Sequence, residues 1–175
     1  MASAIDLILL GMLQEESQSA YDLEKSVEKR NISKWMNISK TSIYNKVLQY
    51  EKKGYVTSDI IKNGNMPPKT IYSITKEGKK YLQDNMKAKS KEVFRLFIDY
   101  NAVLINLCSV DQDERLELLQ NMQKEIDAFS VGVNEYAPQK AQIPLYGDAI
   151  IKQQKMIAVT MKQWMDELVS EAKEK

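Results

Sequence analysis

Apolar positions recur at helical spacing from the start of the chain. Ile5, Ile8, Leu9, Met12 and Leu13 share one side of a helix that Ser3-Ala-Ile-Asp6 opens as a capping box and that ends near Glu15. Ser19-Ala-Tyr-Asp22 repeats the box, and Ala20, Leu23 and Val27 line one face of a second helix running to Arg30. A short loop with Trp35 and Met36 leads to Ser39, which caps a third helix with Ile43, Val47 and Tyr50 on its inner side. Lys52 and Lys53 suit its C-terminal turn, and Gly54 stops it.

After Gly54 the period changes to two. Residues 55–62 and 69–75 read as strands joined by Asn63-Gly-Asn-Met-Pro-Pro68, a hairpin with a basic tip. By their period Val47, Leu48, Tyr72 and Ile74 read as packing positions. Thr75-Lys-Glu-Gly78 opens a fourth helix with Tyr81 and Leu82 inward. Three helices followed by a hairpin is the order of a winged helix-turn-helix, in which the third helix enters the DNA major groove and the wing touches the backbone.

A lysine-rich stretch from Asp84 to Lys91 then connects to a second apolar series, Val93, Phe97, Tyr100, Leu104 and Cys108. With Phe94, Ile98 and Ile105 widening the stripe, this predicts a largely buried helix from Glu92 onward. Asp111-Gln-Asp-Glu114 caps another helix carrying Leu116, Leu119, Met122, Ile126 and Phe129, which ends before Pro138 and Pro144. The last helix, from about Tyr146 to Ala172, places Ile150, Ile157, Met161, Trp164 and Leu168 on one seam, with Ala158, Met165 and Val169 beside it. So wide a face, spaced like the a and d positions of paired helices, calls for a second chain, and a homodimer is expected. The fold class is therefore mainly α with a small β-hairpin wing. Residues 1–85 are expected to form a winged helix-turn-helix DNA-binding domain and residues 86–175 a helical domain for dimerisation, with effector binding as its further candidate role.

Composition narrows the chemistry. The 175 residues include no His, which excludes Ser-His-Asp and Cys-His catalysis and His-ligated zinc. One cysteine, Cys108, forms no internal disulfide or thiolate cluster, and its apolar face predicts an inert buried thiol in a reducing cytoplasm. The opening residues lack a basic n-region, and no apolar run reaches the length of a membrane span, so a soluble protein without a signal peptide is expected. Glu114 with Glu117, and Asp166 with Glu167, are the carboxylate pairs open to acid–base chemistry, but each falls at solvated helix positions. The chain is read as a non-enzyme that needs no metal or cofactor. Charge is uneven: between residues 34 and 80 ten lysines face only Glu51, Asp59 and Glu77, a local charge of +7 in a chain of net charge +1.

The third helix and wing resemble those of PadR-type transcriptional regulators. Tyr44, Val47, Glu51, Gly54, Tyr55 and Val56 fall in the family's register, with Tyr50 where a Leu is usual. Lys69, Tyr72, Ile74, Thr75 and Gly78 match the return strand and its Thr-x-x-Gly, without the frequent Arg. The resemblance spans residues 5–82. It extends more weakly to residues 90–170, where it is similar to the longer subfamily whose C-terminal helices form the dimer interface. It implies a regulator, usually a repressor released by a small aromatic or cationic effector, although some relatives activate with a partner.

The N-terminal residues of a recognition helix face base edges, which nominates Lys40, Thr41, Ser42 and Asn45 for the groove, with Tyr44 and Lys46 on phosphate. Asn45 suits adenine and Lys40 guanine, although short polar residues at a helix start also serve as caps. Lys62, Asn63, Asn65 and Lys69 are the wing's candidates for phosphate or the minor groove, against the alternative of a solvated turn. Phe97, Tyr100, Ile157, Met161, Trp164 and Leu168 are the candidates for a dimer core or an effector pocket between subunits. The expected partner is a pseudo-palindromic DNA operator with half-sites about 10 bp, or a multiple of that, apart. An activator, or a helical module acting through protein–protein contact, is the alternative.

Overall fold

The computed structural model describes residues 3–62, 67–135 and 144–174. The chain divides into two compact units, Met1–Phe94 and Arg95–Lys175.

The first unit runs α1 (Ala4–Glu15), α2 (Ala20–Lys29), α3 (Lys40–Lys52), β1 (Val56–Ile61), β2 (Lys69–Ile74) and α4 (Lys76–Lys89). Its helix starts are set by reciprocal caps. The Ser3 and Ser19 hydroxyls accept from the amides of Asp6 and Asp22, whose carboxylates accept from the two cap amides in return. One apolar core gathers Leu9, Leu10 and Leu13 of α1, Leu23 and Val27 of α2, Ile43, Val47 and Tyr50 of α3, and Val56, Tyr72 and Leu82 from the wing and α4. Trp35 and Met36 of the loop pack against its edge.

The two strands pair antiparallel from Val56 opposite Ile74 to Ile61 opposite Lys69. A third short pairing joins them: Gln18 and Tyr72 exchange amide-to-carbonyl hydrogen bonds of 3.1 and 2.9 Å. The polar segment between α1 and α2 is thus stitched to the sheet, where the hydrophobic pattern shows only a loop.

Two glycines are required by geometry. Gly54, just after α3, has φ +72°, the left-handed conformation that closes a helix. Gly78 lies so close to the wing that a Cβ there would stand 2.1 Å from the Tyr55 carbonyl oxygen. The Thr75 hydroxyl accepts from the Gly78 amide at 3.0 Å and donates to the Gly54 carbonyl at 2.8 Å, so Thr-x-x-Gly both caps α4 and ties it to the end of α3. Tyr55 stacks on Tyr81 across the same junction, with ring centroids 4.2 Å apart.

The second unit holds α5 (Tyr100–Leu104), α6 (Gln112–Glu135) and α7 (Leu145–Glu174). Asp111 caps α6 by accepting from the Glu114 amide at 2.9 Å. The long helices pack through Leu119, Met122 and Ile126 of α6 and Met165 and Val169 of α7, with Leu107 closing one end. Gln123–Asp166 and Lys162–Asp127 pairs, at 2.7 and 2.5 Å, fasten the flank.

Three expectations are corrected. The residues from Glu92 to Asp99 form no helix, and Val93, Phe94, Leu96 and Phe97 are 60–82% exposed, because an amphipathic stripe forms a helix only where a surface exists to bury it. Of that predicted helix only the short α5 remains, while α4 continues through the lysine-rich stretch to Lys89. Cys108 is exposed rather than buried, since Leu107 takes the inward position of the turn they share. Leu48 is 56% exposed, because Ile43, Val47 and Tyr50 already fill the inner face of α3.

Candidate nucleic-acid interface

On α3, burial of Ile43, Val47 and Tyr50 turns Thr41, Tyr44, Asn45 and Leu48 outward. Their spacing of three and four makes them one stripe, running from the first turn of the helix to its third. Ser42 is occupied in holding the helix start: its amide donates to the Ser39 hydroxyl at 3.1 Å and its own hydroxyl donates to the Ser39 carbonyl at 2.6 Å. Lys40 projects into solvent at the head of the stripe, near the Tyr44 ring at 5.9 Å. Its ammonium also lies 3.1 Å from Glu24 Oε2, an ion pair without hydrogen-bond alignment, and Glu24 raises its hold on the proton.

Lys46 takes another position. It turns back to α1, where its ammonium meets Asp6 Oδ1 at 2.7 Å. The Tyr50 hydroxyl donates to the same oxygen at 2.8 Å, and the Ser3 amide donates to the other at 2.7 Å. Burial alone would push the Asp6 carboxyl up, but the donors from Lys46, Ser3 and Tyr50 together hold it below the usual carboxylate range. Burial first, and then the neighbouring Asp6 charge, push the Tyr50 hydroxyl far up, so it remains a neutral donor. This buried cluster fixes the rotation of α3 about its axis and so decides which side chains form the outer stripe. Sequence spacing does not disclose it, because Asp6 and Tyr50 lie 44 positions apart.

At the wing Lys62 is exposed at the end of β1, and Lys69, at the start of β2, pairs with Asp22 of α2 at 2.7 Å. Asn63 and Asn65 lie outside the described residues. Ile60 and Ile61, at the end of β1, are 76% and 45% exposed, an apolar addition to the basic wing. Ser58 donates to Glu51 and so links β1 to the last turns of α3. Among the described residues, then, Lys40, Thr41, Tyr44 and Asn45 lie on the outer side of α3 with the unpredicted Leu48, while Ser42 and Lys46 are engaged in its support.

In the second unit Tyr100, Met161, Trp164 and Leu168 pack against the edge of the α6–α7 core, half-buried. Ile157 is half-buried and Phe97 is 80% exposed. The fully buried positions of α7 are Ala158, Met165 and Val169, one step round the helix from that seam. No helix among the described residues is long and apolar enough to cross a membrane.

Three helices, a two-stranded wing and an outward stripe on the third helix define a winged-helix unit of the kind found in transcriptional regulators. Residues 9–84, which span most of the first unit, match the model of the transcriptional regulator PadR-like family. The fold is similar to that of Bacillus subtilis PadR. Against the crystal structure of that protein with operator DNA the identity is 15%, the coverage is 97% of this chain and 99% of that one, and the TM-score is 0.79. Against its complex with p-coumaric acid the identity is again 15%, with 98% and 99% covered and a TM-score of 0.77. The Vibrio cholerae virulence activator AphA is 16% identical, with 96% and 97% covered and a TM-score of 0.73. No curated protein sequence matches the chain.

Proposed function

We propose that the protein is a cytoplasmic homodimeric repressor that binds a pseudo-palindromic DNA operator and leaves it when a small aromatic or cationic molecule binds. The carrying observation is the outer stripe of α3, Thr41, Tyr44, Asn45 and Leu48, set against a fully buried inner face and flanked by Lys40. Two polar side chains, an aromatic and an aliphatic one suit base edges and thymine methyl groups, and the lysines of α3 and the wing suit phosphate. Asn45 is assigned to adenine and Lys40 to guanine or the adjoining backbone.

The dimer is supported by the second unit and its approach. Phe97 and Ile105 are 80% and 81% exposed, and the seam of Ile157, Met161, Trp164 and Leu168 is only half-covered. A monomer rarely leaves so many large apolar groups in water. Occlusion of the promoter gives repression. Tyr100, Met161 and Trp164 are the side chains assigned to an effector, since Bacillus subtilis PadR, of similar fold, has been crystallised with p-coumaric acid. The likeness to a virulence activator keeps activation as the second reading.

The test is fluorescence anisotropy with a labelled duplex from the region upstream of the gene, beside a scrambled duplex, at several salt concentrations. Specific binding that weakens with salt is expected, with Asn45→Ala relaxing preference at one base pair. Absence of binding at low salt contradicts the reading and favours a protein-interaction module.

A further inference from the structure

Two of the lysines that α3 and the wing offer to DNA already have partners in the protein, and both partners stand on α2. Lys40 reaches Glu24, whose side chain is only 13% exposed and whose Oε2 lies below the surface without a hydrogen bond, so the Lys40 ammonium at 3.1 Å is the charge that balances it. Lys69 reaches both oxygens of Asp22, at 2.9 and 2.7 Å. Neither carboxylate is free to follow its lysine outward. Glu24 is packed into the α2 surface, and Asp22 is held by the Ser19 amide and hydroxyl at 3.2 and 2.8 Å.

We propose that Glu24 and Asp22 set the strength of DNA binding by holding Lys40 and Lys69 as internally neutralised pairs, so that phosphate must compete with a fixed carboxylate for each. This rests on the DNA-binding reading above. A lysine that enters the interface as a free cation releases a counterion from DNA and adds about 0.9 to the slope of log affinity against log salt. A lysine that enters already neutralised brings no net charge, and its carboxylate is left facing phosphate. The two α2 acids therefore lower affinity for any duplex, scrambled or cognate, and leave discrimination to the base-reading stripe. They account for a basic face in which the number of lysines overstates the electrostatic pull.

The test is a salt titration by anisotropy on wild type, Glu24→Gln, Lys40→Gln, the Glu24→Gln/Lys40→Gln double variant and Asp22→Asn, each with the upstream and the scrambled duplex. Glu24→Gln is expected to raise affinity for both duplexes about three- to tenfold at low salt and to steepen the slope by about 0.9, and the gain should largely vanish when Lys40 is absent. Asp22→Asn, whose amide oxygen still accepts from Ser19, should do the same through Lys69, and it keeps the test open should Glu24→Gln fail to fold. Unchanged affinity and slope in a wild-type background that binds DNA would overturn the proposal. So would an equal gain with and without Lys40, which would mark a general charge effect. Wild type that binds neither duplex overturns the DNA-binding reading itself and the proposal with it.

Discussion

The two units dispose of their apolar side chains differently. In the first, α1 alone buries Leu9, Leu10, Met12 and Leu13, and the core closes on itself with Tyr50 sealing a buried Asp6. In the second, α7 buries only Ala158, Met165 and Val169 along its 30 residues, and Phe97, Ile105 and Met156 stand largely in solvent. A closed core with an internal polar lock holds α3 at a fixed rotation, which its proposed reading of a base sequence requires. An open apolar seam suits a surface completed by another molecule, through which a signal can enter. On the proposed function, rigidity belongs to the first unit and responsiveness to the second.

Opening a cavity in the closed core of the first unit should have the largest effect. Leu23→Ala, at a fully buried position, is expected to cost about 3–5 kcal/mol and to abolish DNA binding with the fold, as read by thermal unfolding. Gly78→Ala comes next: its Cβ would stand 2.1 Å from a backbone oxygen, so α4 must shift away from the wing, at about 2–3 kcal/mol by denaturant titration.

Asp6→Asn should cost about 2–3 kcal/mol by leaving Lys46 without its counter-charge and weakening the Tyr50 bond. Because the folded-state carboxyl is held below its ordinary value of 3.8, the stabilisation from Asp6 is present above that pH and is lost as pH falls through the lower folded value. Melting temperature followed from pH 6 downward should therefore fall more steeply for wild type than for Asp6→Asn below about pH 4. Phe97→Ser, at an exposed site, should change the unfolding free energy of a single chain by less than about 0.5 kcal/mol. In the dimer reading it should instead shift the monomer–dimer equilibrium, measured by sedimentation, towards monomer.

How much of this was legible in the sequence follows the range of the forces involved. The starts of α1, α2 and α3 could be read because Ser3, Ser19 and Ser39 act on amides three residues away, and the wing because a period of two over six residues is local. The Gln18–Tyr72 pairing could not, since it uses backbone groups 54 residues apart in a polar segment with no pattern of its own. Nor could the non-helical chain around Val93 and Phe97, because helical spacing identifies a face without supplying the surface that would bury it.

The outer stripe was half legible. Thr41, Tyr44 and Asn45 follow from their place at the helix start, but Leu48 reads as core until the buried positions of α3 are seen to be filled. Lys46 shows the converse. Its position and charge suggest phosphate, and a carboxylate 40 residues earlier in the chain pairs with it, half-buried against α1.

In the proposed complex the outer side of α3 and the wing meet DNA while the second unit does not. Amide hydrogen exchange on the full chain, with and without the upstream duplex, tests it most directly. New protection is expected only in the first turns of α3, about Lys40 to Leu48, and at the ends of β1 and β2 around Lys62 and Lys69. Protection that falls instead on α6 and α7, with α3 unchanged, would contradict it.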